Sequence, residues 1–283
     1  MLITLIAKDF NLSSKIILGI LFAVLAYVIL YYTFKMIEMV YVLKHKKPLY
    51  NHFYLRLKLL NEKQKGILKQ QFTFYNKLTK KERGYFEHRV ASFINDKDFI
   101  GRDELVISED IKILISATAV MLTFGFRDFY IGLISKIVVY PNAFYSNTNK
   151  AFHKGEFNPK LATLVISWED FKKGFSNEKD NINLGIHELT HAIHINCIKE
   201  RDVSATIFSD SFKELSDLLT SDESLRKKLM DSDYFRKYAF TNQFEFLAVL
   251  IENFIETPNT FKAQFPTVYS KVKQMLNFKV ADY

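Results

Sequence analysis

The chain holds a single cysteine, Cys197, among 283 residues. No intrachain disulfide can form, so the fold depends on its core, and low cysteine use fits a reducing compartment. Thiolate-rich structural zinc sites are excluded, and any metal bound here must take histidine and carboxylate ligands. Glycine and proline are scarce, at nine and five, which excludes collagen-like and Pro/Gly-rich disordered chains. There is no internal repeat and no low-complexity tract, so solenoids and propellers are excluded as well. Acidic residues are thin in one place. Residues 35–97 carry fifteen Lys and Arg against five Asp and Glu, while the whole chain has a net charge of +8, leaving the remainder slightly acidic. This basic excess follows the most apolar run directly, which favours a membrane surface over nucleic acid as its counterpart. No nucleic-acid partner is expected.

What the chain has in quantity is aromatic side chains, 15% of residues, in a composition that suits a compact and largely helical protein. Residues 16–34, IILGILFAVLAYVILYYTF, carry no charge. About 20 apolar residues suffice to cross a bilayer as a helix, and Tyr31 and Tyr32 sit where an interfacial aromatic belt would place them. A cleaved signal peptide would have a shorter apolar core ending at small residues; here bulky residues continue past Ala26. An anchor is therefore preferred over a signal peptide or a buried core helix. Lys35, Lys44, Lys46 and Lys47 follow the run, whereas Lys8 and Lys15, with Asp9 between them, precede it. The positive-inside rule then puts the C-terminal bulk in the cytoplasm. The expected organisation is a short tail over 1–14, a transmembrane helix and flank over 15–41, a basic juxtamembrane helical segment over 42–70, and a catalytic domain over 71–283.

The pattern predicts helix over 51–78, as a stalk or first domain helix, and, after the capping box Thr79-Lys80-Lys81-Glu82, a further helix to about Phe93. Ser108 is positioned to cap a helix through Leu122. Helices are also expected over 183–199, 208–229 and 242–255. The β-branched run 134–140, stopped by Pro141, and the run 161–168 read as strands.

The chemistry lies in His187-Glu188-Leu189-Thr190-His191. Residues four apart share a helix face, so His187 and His191 can offer imidazole nitrogens to one ion. Glu188 lies part of a turn around, where it can reach a water at that ion and take its proton. Catalytic zinc sites use three protein ligands and keep a position open. The extended HExxHxxGxxH pattern fails, because His194 stands at the glycine position and Cys197 at the last histidine. The third ligand must come from elsewhere, and Glu245 is the best candidate, a carboxylate in an apolar helix that is costly there without a charged partner. Glu252 and Glu256 fall near the same face, and Glu256 is expected at the surface. His194 is open to three readings: a third ligand, a residue supporting the ligands, or an ordinary half-buried histidine.

These residues carry a resemblance. The chain resembles the Mlc titration factor A family of zinc metallopeptidases, a gluzincin-like group, over residues 72–277. The shared marks are Val139-Tyr140-Pro141 followed by Phe144, Ile166-Ser167-Trp168, the stretch from Asn183 to His191, and above all residues 245–258, similar to the family's AExFAVxSExFFxxP segment. The resemblance implies an α+β fold, a mostly helical zincin-like metallopeptidase domain with a small sheet, here preceded by one transmembrane helix. It implies one Zn²⁺ per chain held by His187, His191 and Glu245, with Glu188 as general base. It also implies Tyr238, seven residues before Glu245, as a donor to the developing oxyanion, a physically sensible task for a phenol. His194 and Glu252 are the candidates for supporting the ligands. The family usually has Asp where His194 stands, and the apolar run lies outside the shared region. Its best-known member is a soluble protein that binds a glucose-responsive repressor, a partner that the resemblance does not carry over to this chain.

The expected function is membrane-anchored, zinc-dependent hydrolysis of a peptide or protein substrate. The strand residues Ile137, Val138, Val139 and Tyr140 are expected to accept an extended substrate by edge pairing. The rival is a membrane-anchored regulatory binding protein on the same fold, but such a protein would have no use for Glu188.

Overall fold

The computed structural model describes residues 11–146, 150–177, 179–281 and 283. Most of the expected tail, including Lys8 and Asp9, lies outside these residues. The first element, α1, is one unbroken helix over Leu12–His45. Among the described residues it is the helix long and apolar enough to cross a membrane, and none of its most apolar 18-residue window is buried against the protein. The core-helix reading of this run is thereby set aside. The helix outlasts the apolar run because its last turns find partners. Met39 and Val42 pack on Val203 and Ile207, Glu38 pairs with Arg127 at 2.5 Å, and Lys46 with Asp210 at 2.7 Å. Lys46 ends it in the left-handed conformation, φ 48°, and donates its N–H to the Val42 carbonyl.

Helix is not continuous over 51–78. Residues 46–61 carry no helix, then come α2 (Glu62–Gln71) and α3 (Thr73–Lys77), broken apart at Phe72. Leu60, Ile67, Leu68 and Phe72 are buried in the same core as the rest, so the stretch expected as a juxtamembrane segment is built into the domain. Helix α4 (Lys80–Asp96) opens with the capping box of Thr79 and Glu82, and α5 (Glu109–Leu122) is capped by Ser108. Arg89 of α4 is buried and has no carboxylate partner among the described residues. Its guanidinium instead donates to the carbonyls of Asn51, Thr123, Phe124 and Phe126 and to the Tyr54 hydroxyl. It therefore ties the 51–54 chain to the C-terminal end of α5.

The sheet comprises β1 (Asp98–Gly101), β2 (Lys136–Tyr140), β5 (Gly155–Asn158) and β6 (Thr163–Ser167), in the order β1-β2-β6-β5. The first three in that order run parallel and β5 runs antiparallel to β6. A separate hairpin joins β3 (Phe144–Ser146) to β4 (Ala151–His153). Because β2 is hydrogen-bonded on both sides, Ile137, Val138 and Val139 cannot accept a substrate by edge pairing, and the expectation for Ile137–Tyr140 is corrected. Tyr140 stacks on Phe144 instead, ring centroids 4.8 Å apart. The edge strands of this sheet are β1 and β5, and β5 is the one packed against Glu188 of the motif.

Helix α6 (Trp168–Ser176) leads to α7 (Leu184–Lys199), which carries the HExxH motif. The helix expected over 208–229 is two, α8 (Val203–Ser221) and α9 (Glu223–Asp231), because the Asp222 side chain accepts from Leu225 N–H and starts the second. A 3₁₀ turn over Lys237–Phe240 precedes α10 (Gln243–Glu256), whose Asn242 cap accepts from Phe244 and Glu245 N–H. The chain closes with α11 (Pro258–Gln264) and α12 (Pro266–Met275), each started by a proline whose missing N–H costs nothing there. The result is an α+β fold, mostly helical with a small sheet.

Candidate metal centre and its cleft

Asn183 sets the position of α7. Its side-chain oxygen accepts from Ile186 N–H at 3.1 Å, and its amide donates to the Gly174 carbonyl and to Glu256 Oε1. Its own N–H donates to Glu252 Oε2 at 3.0 Å. One side chain thus pins the start of the motif helix to both α6 and α10. Gly185 is required by packing, since a Cβ there would lie 2.5 Å from the Phe171 ring.

One turn further, the face of α7 meets α10. Nε2 of His187 lies 2.9 Å from Glu245 Oε2, and Nε2 of His191 lies 3.6 Å from Glu245 Oε1. The two imidazole rings are perpendicular, 4.7 Å apart. One ligand atom from each of His187, His191 and Glu245 lies within 4.8 Å of the others, a group that could hold a metal ion. Two imidazoles and a carboxylate are a suitable donor set for a borderline divalent cation.

Behind His187 stands Glu252, fully buried. His187 Nδ1 lies 2.5 Å from Glu252 Oε1, which leaves Nε2 for the front of the group. Arg236 Nη2 donates to the same oxygen at 2.8 Å. Burial disfavours a charged His187, but hydrogen bonds with Glu245 and Glu252 outweigh it and push the imidazole up to about 9. Glu245 is the converse case: burial alone would raise it, and its hydrogen bonds to His187 and His191 hold it well below the usual carboxylate range.

Glu188 is nearly buried, and desolvation raises its carboxyl above the ordinary value against the pull of the two histidines. It packs against β5 so closely that a Cβ on Gly155 would lie 2.4 Å from its Cγ. Tyr238 is half-exposed, its ring 6.1 Å from His187, and burial together with Glu245 pushes its phenol up to about 12.

A cleft of about 510 Å³ opens here, lined by His187, Glu188, Gly155, Arg236 and Tyr238 among others. A second hollow of about 320 Å³, lined by His191, Glu245, Phe157 and Phe244, lies on the other side. β5 contributes to both.

The structure thus brings His187, Glu188, His191, Glu245, Glu252 and Tyr238 together. It leaves His194 out. That ring packs among Phe208, Phe212 and Phe244, its Nδ1 is buried with no hydrogen-bond partner among the described residues, and burial then the His191 charge lower it to about 4. Of its three readings, the structure matches the ordinary packed histidine. Glu256 is not at the surface: it is half-buried and holds Asn183. Sequence reasoning missed Arg236 and Gly155. A lone arginine in a loop and a glycine in a four-residue strand carry no periodic signal.

The model of the glucose-regulated metallopeptidase M90 family matches residues 47–277, well over half of the chain. An uncharacterized protein of Synechocystis sp. is 21% identical over 223 residues, covering 74% of this chain and 81% of its own length. The chain belongs to the glucose-regulated metallopeptidase M90 family.

Proposed function

Starting from that membership, we propose that the protein is a membrane-anchored zinc peptidase that hydrolyses peptide bonds with Glu188 as general base. The observation that carries the reading is the juxtaposition of two kinds of group. A His-His-Glu donor set sits beside a separate buried carboxylate, and His187 of that set shares one cleft with Glu188. A pure binding protein needs no further carboxylate there.

His187, His191 and Glu245 would hold the ion, a His₂Glu set that suits zinc and leaves a position open. When bound, zinc polarises the scissile carbonyl and acidifies a water. Glu188 takes the proton of the attacking water and hands it to the leaving amine. Its desolvated surroundings suit both steps, since burial raises the carboxyl above its ordinary value and makes it a stronger proton acceptor. Tyr238 donates its phenolic proton to the oxygen that gains charge. Glu252 and Arg236 hold the His187 ring in orientation. β5 gives the substrate its backbone partners: Gly155 and Phe157 line the hollows on either side of the donor set, so an extended peptide paired with β5 crosses the site.

Glu188→Gln tests the reading. Hydrolysis should fall by on the order of 10² or more while metal content stays near wild type. Hydrolysis undiminished by this change would defeat the assignment. A wild-type protein that binds metal and a partner protein but cleaves nothing would favour the binding-protein rival.

A further inference from the structure

The proposed anchor does not end in a flexible tether. α1 runs without a break from the apolar run into the domain and is fastened there by the Glu38–Arg127 and Lys46–Asp210 pairs and by Val42 against Val203 and Ile207. A domain fastened this way presents one fixed face to the bilayer.

The chain after α1 lies on that face. At Lys46 the backbone turns in the left-handed conformation and doubles back. The Tyr50 ring then lies 5.2 Å from the Arg127 guanidinium, which is itself paired with Glu38. Glu38 is only four residues, about 6 Å of helix, beyond Phe34 at the end of the uncharged run. Residues 46–50 have therefore travelled back toward the bilayer. Phe53 follows, its ring 6.3 Å from that of Tyr50.

From here the segment carries no helix or strand and bends at Leu55 and Arg56. Phe53, Leu55 and Leu59 are 74%, 96% and 70% exposed, and Leu57 is exposed with them. The even positions behave differently. Tyr54 packs on His88 and Tyr85, while Arg56 and Lys58 are exposed. No Asp or Glu occurs between Glu38 and Glu62, whereas Lys44, Lys46, Lys47, Arg56 and Lys58 do. The Lys58 N–H donates to His88 Nδ1 and Arg89 holds the Asn51 carbonyl, so the backbone is fixed and cannot turn the row inward. A run of large apolar side chains fully in water is unusual and marks a contact surface.

We infer that residues 50–59 are a second membrane-contact element, resting on the headgroup layer of an anionic leaflet beside α1. Phe53, Leu55 and Leu59 enter the headgroup–acyl boundary, and Arg56 and Lys58 meet lipid phosphates. The inference rests on the anchored reading of α1, and two features of the structure favour lipid over a protein partner. The row is continuous with the helix proposed to cross the bilayer, and its charge is of one sign, the sign that complements acidic lipid. The consequence is a catalytic domain held in one orientation, with α7 carrying the HExxH motif at a fixed height.

The test uses the full chain in vesicles, with single cysteines labelled by an environment-sensitive fluorophore and nitroxide-bearing lipids as quencher. Cys197 is buried and serves as the unlabelled background. Leu55→Cys and Phe53→Cys are the probes, Tyr27→Cys in α1 is the bilayer control, and Leu161→Cys, exposed in the turn between β5 and β6, is the aqueous control. In phosphatidylcholine with phosphatidylglycerol, emission at Leu55 should fall about twofold or more, as at Tyr27, while Leu161 is unchanged. Arg56→Glu with Lys58→Glu, or pure phosphatidylcholine, should relieve much of the quenching at Leu55 and none at Tyr27. Quenching at Tyr27 with none at Leu55 overturns the inference and leaves the anchor standing. Absence of quenching at both overturns the anchor and the inference together. A Leu55 probe shielded from water but untouched by lipid quencher points to a protein contact and also overturns it.

Discussion

Glu252 is fully buried and receives three hydrogen bonds, from His187, from Arg236 and from the Asn183 backbone. It holds one imidazole of the donor set still. Arg236→Gln should therefore weaken metal affinity by roughly 10-fold, and Glu252→Gln by up to about 100-fold, values usual for partners of metal-bound histidines. Competition with a calibrated chelator reads both; affinity unchanged in Glu252→Gln would contradict the role. Arg89 places five donors on four carbonyls and a hydroxyl, so Arg89→Met leaves several buried acceptors unpaired. It should cost about 3 kcal/mol or more, read as a lower denaturation midpoint with the same slope. Two titrating groups shape stability in opposite directions. His52 is lowered from 6.5 to about 3, by burial and then by Arg89 and Lys81. Its contribution is present above 6.5 and is lost as pH falls toward 3. Glu256 is pushed from 4.5 up to about 7, chiefly by burial. Its contribution is present below 4.5 and is lost as pH rises through 7. Melting curves across pH should show His52→Phe flattening the acid limb and Glu256→Gln flattening the fall between 4.5 and 7. At this scale the ligand-type residues were legible, because a helix period and the cost of a carboxylate in an apolar helix point to them. His194 was not, since its spacing alone cannot tell a ligand from a ring caged by Phe208, Phe212 and Phe244.

Elements differed in how much they gave away. The capping box at Thr79, the Ser108 cap and the α7 and α10 helices follow from local chemistry, and the structure has them where the sequence puts them. The strands β1 and β5 did not stand out. Each has four residues, and β5 is half-buried throughout, so no alternation marks it. Its place is decided by pairing with β6 and by Glu188 behind it. The β-branched run of β2 is the stronger local signal, but its position in the sheet is internal. Gly155 makes the relation of β5 to the site testable. A methyl group there meets Glu188 at 2.4 Å, so Gly155→Ala should displace the general base, lowering kcat by on the order of 10-fold or more while leaving metal content intact. Wild-type kcat in that variant would mean that Glu188 and β5 are less tightly coupled than their packing indicates. The break at Asp222 was hidden because the amphipathic pattern continues across it while the capping aspartate restarts the helix.

At the scale of the whole molecule, the α+β class and family followed from the motif residues, whereas the joining of α1 to the domain did not. The sequence separates an apolar run, a basic segment and a catalytic domain. The structure runs the helix to His45 and buries Leu60, Ile67 and Leu68 in the common core, contacts between residues too distant in the chain for periodicity to register. The charge asymmetry about α1 still predicts a cytoplasmic domain. A cysteine at Leu161 should resist a membrane-impermeant maleimide in intact cells and react after lysis; labelling in intact cells would reverse the orientation. The central claim is that His187, His191 and Glu245 hold a catalytic zinc served by Glu188. It is tested most directly by metal analysis and peptide hydrolysis on the purified full chain in detergent, beside Glu245→Ala. The account predicts one zinc per chain and peptide cleavage in the wild type, with both lost in the variant. A folded wild type that takes up no zinc even when it is supplied, or that cleaves peptides equally well with Glu245→Ala, would contradict it.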